Sequence, residues 1–119
     1  MRQAMDSDEI RSVDDENNLD EVLALPKFLL YKHSSRCGTS VRAMAEVERF
    51  ARSAPGIPVF GIDVVRQKAL SVRTAEKLGV GHESPQVLLV ERGSAVWHAS
   101  HYRITAAAIA AALEPPVSD

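Results

Sequence analysis

Three short apolar runs are spaced by helix-length stretches: Phe28-Leu29-Leu30-Tyr31, Pro58-Val59-Phe60-Gly61-Ile62-Asp63-Val64 and Val87-Leu88-Leu89-Val90. A continuous apolar run of four to seven residues suits a strand buried on both faces. Strands that are joined through helices need crossover connections, and so they pair in parallel. This alternation excludes an all-helical bundle and an antiparallel sandwich before any single residue is weighed.

The stretches between the runs read as amphipathic helices. From about Thr39 to Ser53, the apolar side is Val41, Met44, Ala45, Val47, Ala51 and Ala54, while Arg42, Glu46, Arg49 and Arg52 face water; Pro55-Gly56 ends the helix. From about Lys68 to Leu78, Ala69, Leu70, Val72, Ala75 and Leu78 point inward and Gly79 supplies the stop. Arg92-Gly93-Ser94 reads as a hairpin turn into a fourth strand, Ala95 to Ser100, which must be antiparallel to the third. Thr105 caps a last helix, Ala106 to Leu113, before Pro115-Pro116. A short helix at Asn18 to Leu25, capped by Asn17 or Asn18, precedes the first strand. The expected fold class is α/β: a four-stranded mixed sheet flanked by helices on both faces, the thioredoxin-like architecture.

Length and charge fit one such unit. The chain has 119 residues with 45% hydrophobic and 25% charged, enough for one sizeable core without staples. Residues 1–18 hold six acidic residues against Arg2 and Arg11, leaving 12 basic and 10 acidic residues behind them. Their only larger apolar groups are Met1, Met5, Ile10 and Val13, so 1–18 reads as a disordered acidic leader, 19–114 as the domain and 115–119 as a tail. The balance lacks the basic excess of a nucleic-acid binder. No apolar run reaches the ~20 residues of a membrane span, and the acidic start is no signal peptide. The expected location is the cytoplasm, with neither nucleic acid nor membrane as partner.

The chain has one cysteine, Cys37, which rules out an intrachain disulfide. It stands in Ser35-Arg36-Cys37-Gly38-Thr39-Ser40, after the first strand and at the start of the first long helix. A helix N-terminus favours an anion, and Lys32 and Arg36 add positive potential. A thiol near pKa 8.5 is only ~3% thiolate at pH 7, whereas one lowered to about 6.5 is roughly three-quarters thiolate. Ser40 stands where a C-x-x-C motif carries its resolving thiol, so any redox cycle must be monothiol, with a second molecule supplying the resolving sulfur. The competing reading is a buried structural cysteine. Pro85, in Glu83-Ser84-Pro85-Gln86 directly before the third strand, stands where thioredoxin-like folds carry a cis-proline. Its preceding residue, Ser84, would offer backbone groups to a substrate.

The histidines are weaker signals. His98 and His101 are an odd step apart, so on a strand they face opposite sides, against a shared metal site; Trp97 reads as packing. His33 is either an aid to the Cys37 thiolate or a surface histidine. His82 is a lesser candidate for lining a substrate groove.

Three segments together resemble a known family: Phe28 to Cys37, Gly79-Val80-Gly81-His82-Glu83-Ser84-Pro85-Gln86, and Val96-Trp97-His98-Ala99-Ser100-His101. They are similar to the monothiol, bacilliredoxin-like proteins of the bacillithiol system, of the YtxJ type. The resemblance runs from about Leu19 to Leu113. It implies a thioredoxin fold, Cys37 as the catalytic thiol, bacillithiol as co-substrate and bacillithiolated client proteins as partners, with no metal. It places Thr39, Ser40 and the helix amides at the sulfur anion, Gly38 among the substrate-binding residues, and Ser84 and Pro85 along the bacillithiol chain. Lys32 and Arg36 would face the malate carboxylates. One departure is Gly38, where relatives often carry proline. It makes Cys37-Gly38-Thr39-Ser40 look like the C-G-F-S motif of monothiol glutaredoxins, with Thr39 replacing the aromatic residue. Two alternatives follow: an iron–sulfur cluster carrier, or a redox-inert binding module.

Overall fold

The computed structural model describes residues 7–36 and 38–113. The expected tail, 115–119, and Cys37 itself lie outside the described residues. In chain order the elements are β1 (Arg11–Ser12), α1 (Glu16–Leu23), β2 (Lys27–His33), α2 (Thr39–Ser53), β3 (Val59–Asp63), α3 (Lys68–Leu78), β4 (Gln86–Glu91), β5 (Ser94–Ser100), a 3-10 turn at His101–Arg103, and α4 (Ala106–Leu113).

One mixed sheet runs in the order β1-β3-β2-β4-β5. β1 and β2 both lie parallel to β3, while β4 is antiparallel to β2 and to β5. The α/β, thioredoxin-like class stands, but the sheet has five strands, not four, and β4 runs antiparallel to β2 although a helix joins it to β3, against the expectation that every helix-separated strand pairs in parallel. The added strand comes from the segment expected to be a disordered leader. Arg11 pairs with Phe60 and Ser12 with Gly61, and the Val13 N–H donates to the Gly61 carbonyl at 2.9 Å. Ile10 and Val13 are three residues apart, so they fall on opposite faces, and each is fully buried in a different core. Two side chains, one per core, anchor a segment whose overall composition looked too sparse to do so.

Period-two alternation on the central strands divides the core. Leu29 and Tyr31 of β2 and Val87 and Leu89 of β4 pack with Ala43, Val47 and Phe50 of α2 and Ile109 of α4. Phe28 and Leu30 of β2 and Leu88 and Val90 of β4 pack with Leu19 and Val22 of α1 and Leu70 of α3. Edge strand β5 alternates exposed and covered residues, as one solvated face requires.

Helix termini follow local chemistry. The Asp15 side chain, not Asn17 or Asn18, caps α1 by accepting the Asn18 N–H at 2.8 Å. Thr105 Oγ1 accepts the Ala108 N–H at 3.0 Å at the start of α4. Gly79 ends α3 at φ 67°, and Arg92 (φ 51°) and Gly93 (φ 82°) give the hairpin two successive left-handed residues. The inward face of α2 differs from the expected one: Ser40, Ala43, Val47 and Phe50 are buried, while Val41 is 74% exposed. On α3 the buried residues are Leu70, Ser71 and Thr74, and Val72 is exposed. Among the described residues, no helix is long and apolar enough to cross a membrane.

Candidate active site

The loop from β2 to α2 is folded back on the first turn of the helix. The Ser34 N–H donates to Ser40 Oγ at 3.1 Å, and Ser34 Oγ accepts the Arg36 N–H at 3.3 Å. Ser40, in the position of a resolving thiol, is fully buried and holds this loop. The bond to Ser34 uses a lone pair of the Ser40 oxygen. Arg36 and Gly38, the neighbours of Cys37 in sequence, are both exposed. Gly38 has φ −61° and ψ −32°, and a Cβ added there would meet nothing within 4 Å. Neither conformation nor space requires a glycine at that point.

Beneath the loop, Tyr31 links β2 to α2. Its Oη lies 2.9 Å from His33 Nδ1 and donates to the Ser40 carbonyl at 3.1 Å. His33 is buried rather than a surface residue. Burial lowers its pKa and the nearby Asp63 carboxylate opposes that shift. The neutral imidazole is thereby favoured, against the expectation of a cationic aid to the thiol. Asp63, opposite His33 on β3, accepts the Val65 and Arg66 N–H groups through Oδ1 at 3.0 and 3.1 Å.

Lys32 belongs elsewhere. One step from Tyr31 on β2, it points to the opposite, α3 face and is fully buried, with Nζ 3.3 Å from the Ser71 carbonyl and 3.4 Å from His82 Nδ1. Burial lowers its pKa to about 8. So placed, its ammonium cannot meet a ligand carboxylate at the surface, and the expectation that it would is corrected. Lys32 instead tethers the loop between α3 and β4. His82 Nδ1 lies 3.1 Å from Ser71 Oγ, and Gln86 Nε2 donates to the Gly81 carbonyl at 3.1 Å. Burial and the Lys32 charge both lower the His82 pKa, against Glu83.

That loop delivers Ser84, half-buried, and Pro85, buried, with the Ser84–Pro85 peptide bond cis. The Pro85 carbonyl accepts the His101 N–H at 3.1 Å, and Ser100 Oγ donates to Glu83 Oε2 at 2.9 Å. His101 starts the 3-10 turn at φ 54° instead of lying on β5. Among the described residues, no three His, Cys, Asp or Glu side chains cluster as metal ligands.

The 3-10 turn joins the two halves of the site. Arg42, expected to face water, donates through its guanidinium to the Tyr102 and Ile104 carbonyls, both at 3.2 Å, and sits 5.6 Å from the Tyr102 ring centroid. Gly38, Thr39, Arg42 and Tyr102 together line an open groove. Arg42 and Tyr102 were missed because nothing local in sequence marks a contact spanning 60 residues. The signal available was a cation in the first turn of a helix, where the dipole disfavours it.

Solved structures share this fold. One, assigned provisionally as an oxidoreductase with a thioredoxin fold, superposes with a TM-score of 0.83 at 25% identity, covering 89% of this chain and 95% of the other. Thioredoxin from Trypanosoma brucei brucei gives 0.74 at 10% identity over 95% of both chains. A mutant thioredoxin from Halobacterium salinarum gives 0.63 at 26% identity over 78% of both. The family model for monothiol bacilliredoxin BrxC matches residues 8–109, which takes in β1, the Cys37 loop, the Ser84–Pro85 step and the 3-10 turn. With one cysteine on a thioredoxin fold and a family match over most of its length, the chain belongs to the monothiol bacilliredoxin BrxC family, a thiol redox family.

Proposed function

We propose that the protein is a monothiol thiol–disulfide oxidoreductase that removes bacillithiol from protein mixed disulfides. The observation that carries this reading is the commitment of Ser40. The position that would hold a resolving thiol is a buried serine bonded to the Ser34 amide, so the resolving sulfur must come from another molecule.

In the first step the Cys37 thiolate attacks the bacillithiol sulfur of the mixed disulfide. A Cys37–bacillithiol disulfide forms, and the client leaves as a thiolate that takes up a proton. In the second, a free bacillithiol thiolate attacks the adduct, which releases bacillithiol disulfide and restores the Cys37 thiolate. Each exchange makes one S–S bond and breaks one. Thr39, Ser40 and the first amides of α2 stabilise the sulfur anion. The Ser84 backbone beside Pro85 holds the bacillithiol chain, and exposed Arg36 meets its carboxylates. The compartment proposed is the reducing cytoplasm, where a lone thiol stays reduced.

The test is alkylation of native protein across pH, then mass spectrometry after exposure to bacillithiol disulfide. A Cys37 pKa well below 8, with one adduct reversed by added bacillithiol, supports the reading. A thiol that alkylates only after denaturation removes the redox function, and a brown dimer that falls apart on chelation would replace it with cluster carriage.

A further inference from the structure

We propose that Arg42 and Tyr102 form the subsite for the carboxylate end of the small-thiol co-substrate, in the groove that they line with Gly38 and Thr39. The proposal rests on the oxidoreductase reading above and deepens it by naming the residues that select the co-substrate.

Three observations on the structure carry it. First, a thiol that carries more than one carboxylate calls for a cation besides Arg36, and buried Lys32 cannot supply it. Arg42 lies three residues past Thr39, one helical turn into α2, and lines the groove directly. Second, the guanidinium is held but not neutralised. Two of its N–H groups go to the Tyr102 and Ile104 carbonyls and its Cζ sits over the Tyr102 ring, 5.6 Å from the centroid, while among the described residues no carboxylate pairs with it. Glu46, one turn further along α2, is engaged by the Ala106 N–H at 2.9 Å and by Arg49 at 3.6 Å. A guanidinium has five N–H donors in a fixed fork, so donors remain for a ligand. Third, the turn that carries Tyr102 is bonded at its start to the Pro85 carbonyl. A small thiol lying along Ser84–Pro85 therefore meets the same rim that Tyr102, 71% exposed, extends toward Arg42. The charge around the groove fits an acidic ligand: Arg36 stands before it in the loop, and Arg103 follows Tyr102 in the turn.

The test compares the rates at which Cys37 reacts with two disulfides, bacillithiol disulfide, which carries carboxylates, and 2-hydroxyethyl disulfide, which is neutral. Arg42→Gln should slow the reaction with bacillithiol disulfide ~5–10-fold, the scale of one partly exposed charge-assisted contact. The neutral disulfide should react within about twofold of wild type, and the loss should appear as weaker saturation rather than a lower limiting rate. Arg42→Lys, which keeps the charge, should recover part of the difference. Equal slowing with both disulfides would overturn the subsite, because it would mean that Arg42 only braces the turn. Unchanged discrimination in Arg42→Gln would overturn it as well. If wild-type Cys37 reacted with neither disulfide, the oxidoreductase reading would fall and the subsite with it. Reaction with the neutral disulfide alone would sink the subsite and leave the redox reading standing.

Discussion

Lys32 offers the sharpest test of the electrostatics. Its ammonium is fully buried against a helix carbonyl and an imidazole nitrogen, and burial takes its pKa from 10.5 to about 8. At about 1.36 kcal/mol per pKa unit, holding the charged form inside costs about 3 kcal/mol relative to the unfolded chain. The folded pKa is lower, so as pH falls through 10.5 the unfolded chain takes up this proton first. Stability therefore declines between about pH 10.5 and 8, and the decline is complete below that range. Lys32→Met keeps the length of the side chain and removes the charge. It also removes donors to the Ser71 carbonyl and His82, a loss of about 1 kcal/mol, and Ser71 Oγ still reaches His82. The variant should be more stable than wild type by about 2 kcal/mol at pH 7, an advantage that vanishes by about pH 10.5. Urea denaturation of both proteins at intervals from pH 7 to 10.5 measures it, and groups that titrate alike in both proteins cancel in the difference. A pH-independent difference, or a variant less stable at pH 7, would refute the argument.

Four further expectations follow from the same structure. Tyr31→Phe leaves the buried Ser40 carbonyl and His33 Nδ1 without the phenol and should cost about 1–3 kcal/mol in denaturant unfolding. Ile10→Ala, within what looked like a leader, should cost about 2–4 kcal/mol because Ile10 is fully buried in the α2-side core; an unanchored segment would show no change. His33 and His82 should both titrate below 6.5 in NMR spectra, so that acidification below neutrality favours the unfolded chain, whose histidines bind protons first. Gly38→Ala should stabilise by about 0.4–1 kcal/mol in thermal unfolding, since φ −61° suits alanine and its Cβ meets open space.

The sequence determined the elements whose signal is local. Thr39–Ser53, Lys68–Leu78 and Ala106–Leu113 are bounded as expected, because caps, glycine stops and periodicity all lie within a few residues. The three central strands were legible because burial on both faces makes their middles continuous apolar runs, and the Arg92-Gly93 turn marked the fourth. The place of Pro85 directly before β4 also followed from order along the chain. Tertiary structure decided the rest. β1 is two residues held by backbone bonds to β3 and by Ile10 and Val13, and a backbone ladder leaves no side-chain pattern to read. Lys32 looked like a surface cation beside Cys37, but alternation along β2 sends it to the opposite side of the sheet from Tyr31, and only the packing of α3 there shows that the side is dry. Arg42 looked solvated, yet the 3-10 turn returns 60 residues later to accept its protons and build the groove. A chain's own periodicity tells which residues share a face; what covers that face depends on elements distant in sequence.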